Sequence, residues 1–298
     1  MQNNFDLIVF TSGPLAYAPR RVAEEALKLG LSATTIKYRE ISFQAKNNQL
    51  LVLYNGAPMP KARGIFVRGL GEDTAYNPTK HLLVSWFESY GAKVLNARSF
   101  NEWSSLDKIS QHIEFLEAGI PVCDSWVFGS LVEADNWVRT AKIPFIVKAS
   151  VGSCGEEVYK INDVTDWIKL IAKGYSTRTI KSLLFQTLLP GACDLRVIVI
   201  GGKVIGAMKR VAQKDQFLTN FSQGGLVETY DITQDSETTE IALKVASHFH
   251  LDYCGVDLMK DEKEEWIVLE VNRACQFKGF EKATGINVAK EVVDFLTS

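Results

Sequence analysis

The chain has 298 residues, which at ~150 residues per domain suggests two domains or one large one with subdomains. With 46% apolar residues and no apolar run near the ~20 needed to cross a bilayer, it can bury a core without disulfides or metals and has no sign of a membrane span. Its 33 basic and 35 acidic residues leave a net charge of −2, which excludes a generic polyanion binder and leaves room for a local basic groove.

The start MQNNFDLIVF lacks a basic flank before its short apolar stretch, so it does not read as a signal peptide. The five cysteines (Cys123, Cys154, Cys193, Cys254 and Cys275) are odd in number and contain no C-x-x-C pair, so they are expected to be reduced thiols in a cytoplasmic protein.

FDLIVF (5–10) is a continuous apolar run ending in Thr-Ser-Gly-Pro, as a buried strand does. A helix follows over 19–29, stopped by Gly30, and SATTIKY (32–38) is β-branched enough to be the next strand. Strand–helix–strand order implies a parallel α/β unit. QLLVLYNG reads as a strand closed by an Asn-Gly turn, GIFVRG (64–69) as a second buried strand, 81–91 as a helix, and KVLN (93–96) as the end of the first region. A boundary is placed near residue 97.

Residues 105–118 carry Leu106, Ile109, Ile113 and Leu116 at helical spacing, stopped by Gly119 and Pro121, and this stripe is expected to face the core. Ser130 and Glu133 form a capping-box pattern opening another helix. PFIVKAS (144–150), the loop GSCGEE and VYKI (158–161) give strand–glycine loop–strand. Phosphate loops of the Walker and dinucleotide types instead open a helix. LLFQTLL (183–189) is a further strand, and DLRVIVI-GG-KVIGAMKRV (194–211) is a hairpin turned at Gly201-Gly202. A helix near 236–249 precedes two last strands, CGVDLMK (254–260) and EEWIVLEVN (264–272), so the second region reads as α+β, dominated by antiparallel strands.

Glu270 and Asn272 stand two apart on a strand, so both face one side while Val271 faces the core. An antiparallel pairing across Asp-Glu-Lys-Glu would bring Asp257 opposite them. Two carboxylates and a carboxamide suit Mg²⁺ or Mn²⁺ and not Zn²⁺. The spacing alone also allows a solvated strand face; the apolar neighbours Leu258, Val268, Leu269 and Val271 make a functional triad the simpler account.

Lys148 ends a buried strand, where it either snorkels to solvent or sits beside the N–H groups of Gly152, Ser153 and Gly155, which can surround a phosphate. Lys108 falls outside the apolar stripe of its helix and by itself reads as a surface lysine. Arg196, Lys209 and Arg210 lie on the hairpin with Asp194, either as a salt-bridged sheet face or as a cationic wall toward phosphates or carboxylates. The four histidines show no ligand spacing and read as structural, and no nucleophile elbow is visible.

Taken together, LNARSFNEWSSLDK, AGIPVCDSW, PFIVKASVGSCGEEV, DLRVIVIGGKVIGAMKR, TNFSQGG, GVDL and LEVNRACQFKGFEKATGINVAKEVVDFL resemble the ATP-grasp superfamily, and within it the RimK-type amino-acid (α-L-glutamate) ligases, relatives of glutathione synthetase. The resemblance runs in register over 65–298. It implies an N-terminal α/β (pre-ATP-grasp) domain over 1–97 and an ATP-grasp domain of two α+β subdomains, 98–182 (lid and central) and 183–298 (C-terminal).

It further implies ATP and two Mg²⁺ (or Mn²⁺) ions as cofactors and an ATP-dependent carboxylate–amine ligase acting through an acyl phosphate. The donor would be an amino acid or another carboxylate, and the acceptor a peptide, carrier protein or small-molecule amine. A dimer or tetramer, with no nucleic-acid or membrane partner, goes with it. Carried over position by position, Lys108 and Lys148 would contact the α- and β-phosphates, with Lys148 also counted as catalytic, and the loop at Gly152, Ser153 and Gly155 would close over them. Gln186, Thr187, Leu188 and Leu189 would line adenine, and Asp194 would reach the ribose. Lys209 would join Arg210 on the nucleotide. Asp257, Glu270 and Asn272 would hold the metals, and Arg210 and Asn220 would face the γ-phosphate and the acyl group. Arg68, Arg196 and Arg273 would lie toward substrate.

The sequence departs from that branch at three places. Thr187 stands where an acidic hinge residue is usual, Leu218 where an arginine is usual, and Arg273-Ala-Cys275-Gln276 where small residues with Pro-Gly are usual. Arg273 is expected either to bind a substrate carboxylate or to cap its loop. The odd loop also motivates a second reading, an ATP-binding module without ligase turnover. A nicotinamide enzyme is a poor third, because FTSGPLAYAP has one glycine where that fingerprint needs three.

Overall fold

The computed structural model describes residues 4–13, 16–67, 77–103, 106–151, 157–174, 179–212 and 226–298. The chain opens with β1 (Asn4–Thr11), α1 (Tyr17–Lys28), β2 (Ala33–Lys37), β3 (Ile41–Lys46), β4 (Gln49–Tyr54), β5 (Ala57–Pro58), β6 (Lys61–Phe66), α2 (Asn77–Glu88) and β7 (Lys93–Val94). β2-β1-β6-β7 form a parallel sheet, as strand–helix–strand order requires. β1 is apolar without alternation because both its faces are covered. Leu7 and Val9 join a core with α1, while Ile8 and Phe10 join a second core with Phe87 of α2. β3, which the sequence reading passed over, pairs with β4, and β5 completes a small antiparallel sheet. Its β4–β5 turn holds Asn55 and Gly56 at φ 48° and 78°, the conformation an Asn-Gly hairpin favours.

Next come α3 (Ala97–Glu102), α4 (Lys108–Glu117), β8 (Ser125–Trp126), α5 (Leu131–Val138), β9 (Phe145–Ala149), β10 (Val158–Ile161), α6 (Val164–Ala172) and β11 (Leu183–Thr187). The sheet order is β10-β9-β11-β8, so a division at 182 runs between strands of one sheet. Phe145, Val147 and Phe185 of this sheet pack on α5 and α6 through Trp137, Trp167 and Leu170. By strict alternation Lys148 and Gln186 project from the opposite face.

The last unit is β12 (Cys193–Ile200), β13 (Lys203–Val211), β14 (Leu226–Tyr230), α7 (Ser236–His248), β15 (Tyr253–Lys260), β16 (Trp266–Asn272), α8 (Lys278–Thr284) and α9 (Val288–Thr297). Its antiparallel sheet runs β14-β13-β12-β15-β16. Leu195, Val197, Ala207, Val256 and Val271 pack one face against α7 and Phe115 of α4. The other face carries charge at one end and apolar residues at the other, where Ile198, Met208 and Tyr253 join α8, α9 and the first sheet in one core.

Two devices bind the units together. Asn96, in the left-handed region at φ 58°, donates to the carbonyls of Tyr253 and Arg273 and accepts from the Tyr253 N–H. The second is α9, which returns to the first sheet so closely that a Cβ on Gly64 would stand 2.7 Å from the Leu296 carbonyl oxygen. Since that neighbour is backbone, Gly64→Ala is expected to cost about 1–3 kcal/mol. The check is a fall in the urea midpoint at unchanged m-value; an unchanged midpoint would mean that α9 is not seated there.

Candidate active site

β15 and β16 place Asp257 directly across from Glu270. A bulge follows, leaving Leu269 unpaired between Val268 and Glu270, so Val268 faces the α7 core and Glu270, two residues on, faces the other way. Val271 is buried as the alternation predicts, and Asn272 returns to the charged face, its Nδ2 3.0 Å from Glu270 Oε1 and 3.4 Å from Asp257 Oδ2.

Asp257 is ringed by cations. Arg196, its neighbour on β12, donates Nε and Nη2 to the two carboxylate oxygens at 2.7 and 2.6 Å. Arg210 on β13 grips Asp194 in the same bidentate way at 2.6 Å and reaches Asp257 Oδ2 at 3.0 Å. Burial raises the Asp257 pKa, but the two arginines outweigh it and hold the carboxyl below its ordinary value. Burial likewise opposes the charge on Arg196, and Asp257 more than restores it.

Lys108 and Lys148 approach from the other unit. Lys108 Nζ lies 4.0 Å from Glu270 Oε2. Lys148 is pulled down by burial, with the charges of Glu270 and Asp194 opposing that and Lys108 adding to it. Four cations, Lys108, Lys148, Arg196 and Arg210, thus gather around three carboxylates, Asp194, Asp257 and Glu270.

α4 organises this meeting, and with a face other than the one its apolar pattern predicts. Ile113 and Leu116 are 53% and 66% exposed, whereas Gln111, His112 and Phe115 are buried. The inward stripe is Lys108, Gln111, His112 and Phe115, spaced i, i+3, i+4 and i+7, a helical period written mostly in polar residues. Lys108 is therefore a site-facing lysine and not a surface one. Asp107 caps the helix, accepting from Ile109 N and Ser110 N, and also takes the Ser150 hydroxyl at the end of β9. Gln111 accepts the Val271 N–H at 2.8 Å, between Glu270 and Asn272.

His112, expected to be merely structural, joins the network. Its Nδ1 meets the Lys108 carbonyl, and its Nε2 accepts from Gln186, which also contacts Cys123 and Ser125. The Gln186 side chain is thereby committed to packing the strand; its Oε1 is buried with no partner among the described residues. Thr187 follows at the exposed end of β11, with Leu188 and Leu189 half-buried beyond it. Lys209 does not join the cluster: alternation puts it on the opposite face from Arg210, across from Leu195 and Glu228. Arg68, Gly152, Ser153, Gly155, Asn220 and Leu218 lie outside the described residues.

Arg273 adopts the capping role, donating Nη1 to the carbonyls of Ser99 and Trp103 at the end of α3, at 3.2 and 2.8 Å. Its guanidinium stacks 4.2 Å from the Phe100 ring centroid, and Lys80 Nζ stands 4.6 Å from the same ring. Burial takes Arg273 down to about 10, and burial with the Arg273 charge takes Lys80 down to about 8, so both are cationic at neutral pH.

Among the described residues no group of three or more His, Cys, Asp or Glu side chains forms a metal site, and no helix is long and apolar enough to cross a membrane. The donor set that does form is two carboxylates and a carboxamide. It fits a hard cation such as Mg²⁺ once the Asn272 amide turns its oxygen toward the carboxylates, an orientation assigned by hydrogen bonding alone.

The RimK-like ATP-grasp domain family matches residues 105–296, and the chain belongs to that family. A probable alpha-L-glutamate ligase of Haemophilus influenzae is 33% identical over 204 residues, covering 68% of this chain and 63% of that protein, so the chain spans less than two thirds of that relative's length. A second, from Teredinibacter turnerae, is 26% identical over 97% of this chain and 94% of its own. The fold is that of the ATP-grasp ligase PsnB, solved with a phosphomimetic variant of its minimal precursor, Mg and ADP, at TM-score 0.75 and 20% identity over 99% of this chain and all of that one.

His112 gives the site a pH signature. Burial first, then the Lys148 charge, lowers its pKa from 6.5 to about 4. The unfolded chain therefore takes up a proton that the fold refuses, so stability is complete above 6.5 and falls as pH drops toward 4, by about 3 kcal/mol. His112→Asn should flatten that part of the profile, read as urea midpoints at about pH 7.5 and 4.5. An unchanged difference between the two midpoints in the variant would contradict a neutral His112.

Proposed function

We propose that the protein is an ATP-dependent carboxylate–amine ligase. The observation that carries this reading is the convergence of Lys108, Lys148, Arg196 and Arg210 on the Asp194, Asp257 and Glu270 carboxylates, a surplus of cation beside hard oxygen donors. Such a site suits a polyphosphate and suits little else. A carboxylate would take the γ-phosphoryl group, with its C–O⁻ attacking phosphorus and ADP leaving. An amine would then attack the acyl carbon, losing a proton and expelling phosphate as the amide forms. The names of its relatives favour an amino acid such as glutamate as donor, and PsnB's complex with a precursor favours a peptide among the possible acceptors. The free thiols among the described cysteines agree with a cytoplasmic home.

Lys108 and Lys148 would neutralise and align the phosphates. Arg210, held in one orientation by Asp194, would meet the transferring group without reorganising. Asp257, Glu270 and Asn272 would hold Mg²⁺, which supplies further charge neutralisation on the phosphates when bound. Gln111 would keep Glu270 and Asn272 in register by pinning the peptide between them.

The test is incubation of the protein with Mg-ATP, pooled amino acids and simple amines, resolving the nucleotide products. Substrate-dependent ADP and phosphate are expected, falling at least 100-fold in Lys148→Ala and in Glu270→Ala while both variants remain folded. AMP and pyrophosphate would mean adenylation and overturn the mechanism. Wild-type rates in either variant would overturn the site.

A further inference from the structure

Asn272 is the oxygen donor with the least support from its own sheet. It ends β16, the edge strand of that sheet among the described residues, and its partner across the ladder is Gly255, which has no side chain to pack on it. Strand ends fray unless something ties them down. Gln111 pins the Val271 N–H, one residue short of that end.

The space over Gly255 is filled from another direction. The chain turns back after Asn272, and Cys275 lies so close that a Cβ on Gly255 would stand 3.0 Å from its Cβ and 3.1 Å from its Sγ. The same added Cβ would stand 3.5 Å from Arg196 Cδ, so the returning loop and the stem of Arg196 meet over one residue. Tyr253, Gly255 and Asp257 share a face of β15 by period two. On one side of Gly255, the Tyr253 hydroxyl donates to the Cys275 carbonyl at 2.8 Å and accepts from the Cys275 thiol at 3.0 Å. On the other side, Arg196 grips Asp257. The loop therefore bears on two of the three donors: it continues directly from Asn272, and it packs beside the arginine that orients Asp257.

Arg273 fastens this loop to a different part of the molecule. Its carbonyl accepts from Asn96 Nδ2 at 3.0 Å. Its guanidinium points away from the charged face, donating to the Ser99 and Trp103 carbonyls at 3.2 and 2.8 Å and stacking on Phe100. A basic side chain is a favoured cap at such a helix end. The anchor is itself packed down, since the Trp103 ring meets Phe249 edge-on with centroids 5.4 Å apart.

We propose that Arg273 is a positioning residue for the metal set: by tying the loop after β16 to α3, it holds Asn272 at its strand end and Cys275 beside Arg196. This rests on the reading of Asp257, Glu270 and Asn272 as the donors that would take Mg²⁺. Arg273 acts through the loop and not on the nucleotide, so its loss weakens metal binding while leaving the phosphate-side cations in place.

The test is titration of Mn²⁺ into the complex of the full chain with ADP, with free Mn²⁺ read by electron paramagnetic resonance. ADP affinity without divalent metal is measured beside it. Mn²⁺ binding that Glu270→Ala abolishes defines the site. Arg273→Met keeps an apolar stem over Phe100 and loses the donors. Its Mn²⁺ affinity is expected to fall about tenfold or more, as for residues that orient metal ligands, with metal-free ADP affinity within about twofold of wild type. Arg273→Lys regains a donor and is expected to return to within about threefold of wild type, a rescue that packing alone would not produce. Gly255→Ala pushes on Cys275 with Arg273 intact and is expected to weaken Mn²⁺ as well, which decides the matter if Arg273→Met folds poorly. Unchanged Mn²⁺ affinity in Arg273→Met overturns the proposal, as does an equal loss of metal-free ADP binding. Mn²⁺ binding that survives Glu270→Ala overturns the metal set and this role with it. The ligase reading fails separately, through wild type that releases no ADP with any substrate while its Mn²⁺ affinity still depends on Arg273.

Discussion

The charged face of the second antiparallel sheet depends on keeping the Asp257 carboxylate ionised where water hardly reaches it. An isolated carboxylate there would take up a proton. Arg196 grips it from the neighbouring strand and Arg210 from the strand beyond, and Arg210 is itself held by Asp194. Each member is oriented by another, so the face is rigid before any ligand arrives. Removing one partner would strand a buried charge, which is far more costly than the pair is stabilising. Strand order β13-β12-β15-β16 makes this possible, because antiparallel register places Asp194 across from Arg210, Arg196 across from Asp257, and Asp257 across from Glu270.

That network constrains the helix lying against it. α4 must deliver a cation to Glu270, a hydrogen-bond acceptor to the Val271 N–H and a neutral group near Lys148. It does so with Lys108, Gln111 and His112 on successive inward positions. A protonated His112 would add repulsion to a site already rich in cations, and its low pKa prevents this above about pH 4. The cost is visible on the other side of the helix, where Ile113 and Leu116 lie in solvent. Polar side chains occupy the inside of α4 because the site needs them there, and the usual hydrophobic rule yields.

Much of the scaffold was legible in advance. Apolar runs flanked by turn residues marked β1, β9 and β11, and Gly201-Gly202 marked the hairpin of β12 and β13. The Asp257, Glu270 and Asn272 set followed from period two. Where legibility failed, the reason was physical. The apolar pattern of α4 predicts the wrong inner face, because Ile113 and Leu116 lie outward while the polar Gln111 and His112 lie inward. The short strand β3 carries mixed, half-exposed residues and no strong alternation, so β4 was found without its partner. Lys209, which the resemblance sets beside Arg210 on the nucleotide, faces the other way, because neighbours on a strand alternate. Lys80 and Ser99 carried no signal, since a lone lysine on a helix and a lone serine are uninformative until something packs over them.

The sequence alone determined the kinds of element, their order, and which oxygen donors could share a strand face, because these follow from local periodicity and turn chemistry. The burial of a lysine, the partner of an arginine and the inward side of a helix depend on contacts between segments far apart in the chain. Asp257 meets Arg196 across 61 positions and Arg273 meets Ser99 across 174. Only the tertiary structure decides those meetings, since a charge acquires its pKa, its partners and its use from what the fold brings beside it.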